Sequence, residues 1–266
     1  MAGPIVVFGS SGFIGGRMCF EAASRGIAVT GIQRSAALQP YLASHDTEDA
    51  IPQVNVVHAD ANKPETYSEQ LKDAQAVVVA IGAPPVPNFL YKGGKTEAMA
   101  SNGNVCVTVI AEAARANVPR VVLVNATMPP WLHTVSSGYA AGKTMAEAAA
   151  EHYASGKTKT VSLKPGVVFG TRYVGEAQVP LPLGWVFRPA RLFMRLPVVS
   201  DGISFLRTKL PYLFGDVLLE PVAVDELART AIDLATDNAP ADPFTVIGPD
   251  QIIRLSHRAG LENLSR

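Results

Sequence analysis

The sequence predicts an α/β protein, a doubly wound parallel sheet covered by helices on both faces, and three observations carry that expectation. The glycine turn Gly9-Ser10-Ser11-Gly12-Phe13-Ile14-Gly15 follows the apolar run Ile5-Val6-Val7-Phe8 and precedes a helical pattern, so the order is strand, turn, helix. Further short runs rich in β-branched residues alternate with helical segments, the arrangement of successive crossovers onto one parallel sheet. A chain of 266 residues with 48% hydrophobic content is long enough to bury that sheet as one domain over residues 1–266.

Taken in order, Phe13 to Arg25 reads as a helix stopped by Gly26, and Ala28 to Ile32 as the second strand. Val54 to Asp60 reads as a third strand, Ala76 to Gly82 as a fourth, and Arg120 to Asn125 as a fifth after a helical pattern from Thr96 to Asn117. Strong helix formers run from Thr144 to His152, opened by Ser136-Ser137-Gly138-Tyr139-Ala140-Ala141-Gly142-Lys143. The stretch from Val179 to Pro221 breaks the alternation with aromatic and aliphatic residues interrupted by prolines, and is expected to form an inserted lobe for substrate or docking. The polar tail beyond Gly248 is expected to be loosely attached.

The chemistry starts at the turn. A pyrophosphate approaches a backbone closely only where side chains are absent, and a following helix offers N–H groups and a positive dipole end. Gly9, Gly12 and Gly15, spaced Gly-x-x-Gly-x-x-Gly, meet that need, with Ser10, Ser11, Phe13 and Ile14 as the other contacts of the turn. The competing reading is a tight turn with no ligand. After the second strand, where an acid would receive the ribose 2′-hydroxyl of NAD, the chain carries Gln33-Arg34-Ser35, a guanidinium and a hydroxyl suited to a 2′-phosphate. NADP is therefore favoured over NAD, which stays possible, and Arg34 as a solvated loop charge is the alternative. Asp60 can accept from an adenine amino group or serve as a loop acid, and the small residues Ala80 and Gly82 would let a cofactor pass.

Tyr139 and Lys143 stand four apart, so on a helix their side chains share a face. A phenol with an ordinary pKa near ~10 is a poor acid–base group at neutral pH, and an adjacent ammonium would lower that value. An exposed helical Tyr and Lys is the competing reading.

Together these motifs resemble the short-chain dehydrogenase/reductase family in its extended or atypical branch. The resemblance adds the Glu112-Ala113-Ala114-Arg115 helix end, Leu163-Lys164-Pro165-Gly166-Val167-Val168-Phe169-Gly170, and Pro221-Val222-Ala223-Val224-Asp225-Glu226-Leu227-Ala228. It implies that Tyr139 is the acid–base, that Lys143 holds the ribose and tunes Tyr139, and that the backbone around Pro165 and Val168 borders the nicotinamide. The chain departs from the family where a serine is usual after the fifth strand; it reads Val124-Asn125-Ala126-Thr127, leaving Thr127, Ser136, Ser137 or no residue to polarise a carbonyl. Asn102 and Asn104 both lie near the family's helix-four asparagine. Within the branch the chain is similar to members serving coenzyme Q biosynthesis and to nucleotide-binding accessory subunits of respiratory membrane complexes. That implies an oxidoreductase acting on an apolar quinone or isoprenoid, or a subunit without catalysis, peripheral to the mitochondrial inner membrane.

Other classes receive no support. Twenty-three basic and twenty-three acidic residues give a formal charge of zero, so no basic field points to nucleic acid. Cys19 and Cys106 lie far apart without metal-ligand spacing, so neither a metal site nor a disulfide is expected. No run of eighteen apolar residues predicts a membrane span, and the first strand begins so near Met1 that no targeting peptide is expected. Within the insert, from Leu181 to Leu210, Arg188, Arg191, Arg195, Arg207 and Lys209 stand against the single acid Asp201. Arg188, Arg191 and Arg195 fall at helical spacing among Trp185, Phe187, Leu192 and Phe193, with Pro189 in the first turn, as in an interfacial helix on an anionic membrane. The alternative is a lid over the pocket with arginines as its solvated rim.

Overall fold

The computed structural model describes residues 3–34, 54–174, 179–210, 212, 218–236 and 240–264. Its strands are β1 (Ile5–Phe8), β2 (Val29–Gln33), β3 (Asn55–His58), β4 (Ala76–Val79), β5 (Arg120–Val124), β6 (Lys159–Leu163), β7 (Val168–Phe169), β8 (Thr171–Val174), β9 (Val179–Pro182), β10 (Val222–Ala223) and β11 (Phe244–Ile247). Seven of them form one sheet in the order β11-β6-β5-β4-β1-β2-β3, every pair parallel. The chain winds outward from β1 through β2 to β3, then crosses back to β4 on the other side of β1. Ligands of open parallel sheets bind in the crevice at the carboxyl ends of the strands flanking such a reversal, here β1 and β4.

β1 is buried on both faces, which is why it reads as an unbroken apolar run. Ile5 and Val7 point into one core layer with Met18, Leu227 and Ile232; Val6 and Phe8 point into the other with Tyr67, Val109 and Ala146. The first layer is made by α1 (Phe13–Ser24), α9 (Val224–Ala235) and α10 (Pro249–Leu264), once the helices α2 (Ser68–Leu71), α3 (Gly94–Met99), α4 (Val105–Arg115), α5 (Leu132–Val135), α6 (Ser137–Tyr153), α7 (Gly184–Met194) and α8 (Pro197–Lys209) are counted before them. Arg17 pairs with Asp225 and Arg25 with Asp233, tying α1 to α9.

Several expectations are corrected. The third, fourth and fifth strands are shorter than the apolar runs that announced them, so Asp60, Gly82 and Asn125 lie beyond the strand ends. The tail is not loose: Ile252 and Ile253 are buried in the first core layer, and Thr230 Oγ1 donates to Ile252 O at 3.0 Å. α6 begins at Ser137 rather than Thr144, because the Gly138 amide donates to Asn88 Oδ1 at 3.1 Å, a cap supplied from a distant segment. α7 starts at Gly184, which puts Pro189 inside the helix instead of in its first turn. Two of the three spaced arginines are spent on carboxylates: Arg191 pairs with Glu220 and with Glu226 at 2.7 Å, and Arg195 with Glu220. These pairs fasten α7 to the start of α9.

Candidate functional site

Gly9 leaves β1 with φ +86°, and a Cβ there would stand 2.7 Å from Ala80 O. A Cβ on Gly15 would meet Gly9 O at 2.3 Å, so α1 packs directly on the turn that precedes it. Gly12 caps α1 without a side-chain hydrogen bond, and no acid stands in the first helical turn. The result is a helix N-terminus without an acidic side chain in its first turn, at the carboxyl edge of the sheet, the environment that suits an anionic pyrophosphate.

A cavity of about 590 Å³ opens beside it. Gly12, Phe13, Ile14, Ala80, Gly82, Thr127, Tyr139, Lys143, Pro165 and Val168 all lie on its wall, brought there from five separate stretches of chain. Gly9, Ser10, Ser11, Gly15, Arg34 and Asp60 are not on that wall, and Ser35 lies outside the described residues. Ser10 is buried and donates to Gln33 Oε1 at 2.9 Å, so its hydroxyl ties the turn to the end of β2 instead of facing a ligand. Asp60 accepts from the Asn62 amide at 3.0 Å; that bond holds its carboxyl below the usual carboxylate range, with Arg34 and Lys63 adding to the effect. Arg34 is exposed just past β2.

Tyr139 and Lys143 reach the cavity because α6 lies unusually close to the helix that runs through α3 and α4. A Cβ on Gly138 would stand 2.4 Å from Lys95 O, and one on Gly142 2.9 Å from Met99 O. The small residues at 138, 142 and 146 seat the helix, and the positions one step on, 139 and 143, turn toward the cavity. Opposite them α3 and α4 are joined by a π turn, Ala100–Asn104. It delivers Asn102 fully buried, its Oδ1 accepting from the Ala83 amide at 3.0 Å and its Nδ2 donating to Ala98 O at 2.9 Å, while Asn104 is exposed. A Cβ on Gly82 would meet both Asn102 Oδ1, at 2.8 Å, and Lys143 Nζ, at 3.3 Å. Asn102, not Asn104, is the asparagine beside the pair.

Lys143 is only 5% exposed, and its ammonium donates to Val124 O at 3.0 Å. Burial lowers its pKa, and among the described residues no carboxylate lines the cavity to offset that cost. Burial also pushes the Tyr139 phenol above its ordinary value, with Tyr91 adding to the shift. The depression expected from Lys143 is not seen at Tyr139, where burial raises the pKa, and the Lys143 ammonium donates instead to the β5 carbonyl of Val124.

Of the hydroxyls that the sequence offers for polarising a carbonyl, Thr127 lies on the cavity wall, while Ser136 and Ser137 do not. Thr127 Oγ1 donates to Lys164 O at 2.7 Å, and Ser136 Oγ donates to Val86 O at 2.6 Å. Ser137 Oγ accepts from Asn88 Nδ2 at 2.9 Å and is not on the cavity wall. Asn125, which is on the wall, donates to Glu147 Oε2 at 3.0 Å and to Lys143 O at 3.3 Å, leaving its Oδ1 buried without a partner. Sequence reasoning missed Trp131, Leu132 and Arg172 on the wall, since none falls in a motif.

Compared with known proteins, residues 9–166 match the model of a family described as NAD(P)H-binding. This chain belongs to the NAD(P)H-binding family. An uncharacterized chloroplastic protein of Arabidopsis thaliana is 32% identical to it over 251 residues, 91% of this chain and 74% of that protein. Among solved structures, an oxidoreductase of the short-chain dehydrogenase/reductase family from Burkholderia thailandensis aligns with a TM-score of 0.60 at 14% identity, over 100% of this chain and 98% of that one. The Bordetella bronchiseptica enzyme WbmH, solved with NAD+, aligns with a TM-score of 0.58 at 16% identity, over 92% of this chain and 74% of that one. The fold of this NAD(P)H-binding protein is accordingly the Rossmann-type fold of short-chain dehydrogenases. The residues fit the cofactor: a glycine turn for the pyrophosphate, a buried ammonium beside Gly82, and an amide oxygen of Asn125 in the wall without a partner.

Proposed function

We propose that the protein is an NADP-dependent oxidoreductase that reduces a carbonyl of an apolar, quinone- or isoprenoid-class substrate. The observation that carries this reading is the convergence of Gly12, Tyr139 and Lys143 on one cavity whose wall is otherwise built from residues such as Pro84, Met128, Trp131 and Leu132. Bound nicotinamide dinucleotide supplies the hydride. Gly12 to Ile14 and the α1 N-terminus would hold its pyrophosphate, and Lys143 its ribose hydroxyls. Tyr139 Oη gives its proton to the carbonyl oxygen; the phenolate left behind is stabilised by Lys143 and recovers a proton from solvent.

A second reading, a nucleotide-binding accessory subunit without turnover, is favoured by one observation: the hydroxyls of Thr127 and Ser136 are both committed to backbone carbonyls. The site of action in either case is proposed to be the surface of an energy-converting membrane, the mitochondrial inner membrane being the compartment that the sequence resemblance implies. The test is steady-state oxidation of NADPH with quinones of increasing prenyl length and with polar ketones. The first reading requires kcat/KM to rise with chain length; NADPH binding without turnover on any of them leaves the second.

A further inference from the structure

We propose that the α7–α8 hairpin is the face by which this protein lies on an anionic lipid bilayer. Neither helix has a single buried residue, although together they carry Trp185, 83% exposed, and Val198, 85% exposed, along with Leu192, Phe193 and Phe205. Large apolar side chains exposed together in this number mark an interaction surface on a soluble protein. On α7, Trp185, Val186, Leu192 and Phe193 recur at i, i+1, i+7 and i+8, so they form one stripe.

The charges choose the occupant. Arg191 and Arg195 are consumed by Glu220 and Glu226 and hold the hairpin to the body of the protein. Arg188 and Lys209 make no ion pair among the described residues, and Asp201 is the one acid of the two helices. An apolar stripe edged by basic side chains is the pattern of a helix lying at a lipid interface, its long cations reaching for phosphate. A symmetric contact between two copies would instead bring like basic edges together.

The hairpin also adjoins the cavity. The Phe187 ring stacks on Phe169 with centroids 6.2 Å apart, next to Val168 in the wall, and Leu181, opposite Arg172 in the β8–β9 ladder, leads into α7. A substrate dissolved in the bilayer would therefore meet the cavity from the lipid side. Only that last step rests on the reaction proposed above, and lipid binding is measured without turnover, so the two can fail separately.

The experiment is sedimentation of the full chain with phosphatidylcholine vesicles, with and without phosphatidylglycerol. The wild type should pellet with the anionic vesicles and bind neutral ones about tenfold more weakly. The double variant Trp185→Ser, Val198→Ser, which alters two solvent-facing side chains and should melt as the wild type does, should lose about tenfold in binding. Arg188→Glu with Lys209→Glu should abolish the preference for anionic lipid. Wild-type protein that stays in solution with both vesicle types, or a serine variant that pellets unchanged, overturns the proposal. A wild-type dimer that the serine variant dissociates would also overturn it and assign the face to a second copy.

Discussion

Replacing Gly15 with Ala tests whether α1 must touch the glycine turn for the cofactor site to exist. The new methyl would stand 2.3 Å from Gly9 O, 2.8 Å from Gly9 C and 3.3 Å from Ser10 N, against ordinary contact from 3.4 Å outward. All three neighbours are backbone, and the turn cannot yield easily, because the Gly9 amide already donates to Ile32 O at 3.0 Å. α1 must retreat by about 1 Å, an overpacking that costs roughly 1–3 kcal/mol. At about 2–4 °C per kcal/mol for a chain of this size, melting should fall by some ~2–12 °C. The retreat also withdraws Gly12, Phe13 and Ile14 from the cavity wall. In the wild type, NADPH at a hundred times its Kd should stabilise the fold by about 2.7 kcal/mol, and in the variant that gain should vanish. Gly156→Ala, where a Cβ meets nothing within 4 Å, is the control and should stay within about 0.5 kcal/mol of wild type. A Gly15→Ala protein that melts like the wild type and keeps its NADPH shift would refute the reasoning.

Three other outcomes follow from particular residues. Because burial raises the Tyr139 pKa from 10.0, the folded protein keeps a proton that the unfolded chain releases, so its contribution is full below pH 10 and is lost as pH rises beyond it. Tyr139→Phe should therefore gain on the wild type above pH 10 in denaturant titrations, and a constant difference across that range would contradict the burial. Arg34→Glu should lower the ratio of NADPH to NADH affinity by about tenfold or more, the worth of a charged hydrogen bond to phosphate, as read by calorimetric titration. Ile252→Ala should cost about 2–5 kcal/mol in urea unfolding if α10 is core; a change under about 0.5 kcal/mol would return the tail to the loosely attached state.

Much of the fold was legible because its signals are local. An apolar run buried on both faces followed by spaced glycines identifies β1 and α1, and the four-residue step from Tyr139 to Lys143 puts both on one helical face. What stayed hidden depends on residues far apart in the chain. The start of α6 is fixed by Asn88, fifty positions from Gly138. The π turn shifts the helical phase, so periodicity cannot select Asn102 over Asn104. Charge counting within the insert could not reveal that Arg191 reaches Glu226, 35 positions away. In α10, polar outer residues mask the inward Ile252 and Ile253. The Tyr139 pKa was misjudged for a related reason: spacing shows that a lysine is near, but not that its ammonium is bound to Val124 O.

The most direct measurement compares Tyr139→Phe with the wild type in two readings on the same preparation, NADPH affinity and the rate of NADPH oxidation with a prenylated quinone. The variant keeps the ring on the cavity wall and loses only the proton. Affinity should stay within about twofold, while the rate should fall by about 10²-fold or more, the usual contribution of a positioned acid. A variant that oxidises NADPH as fast as the wild type would contradict the assignment of Tyr139 as the proton donor.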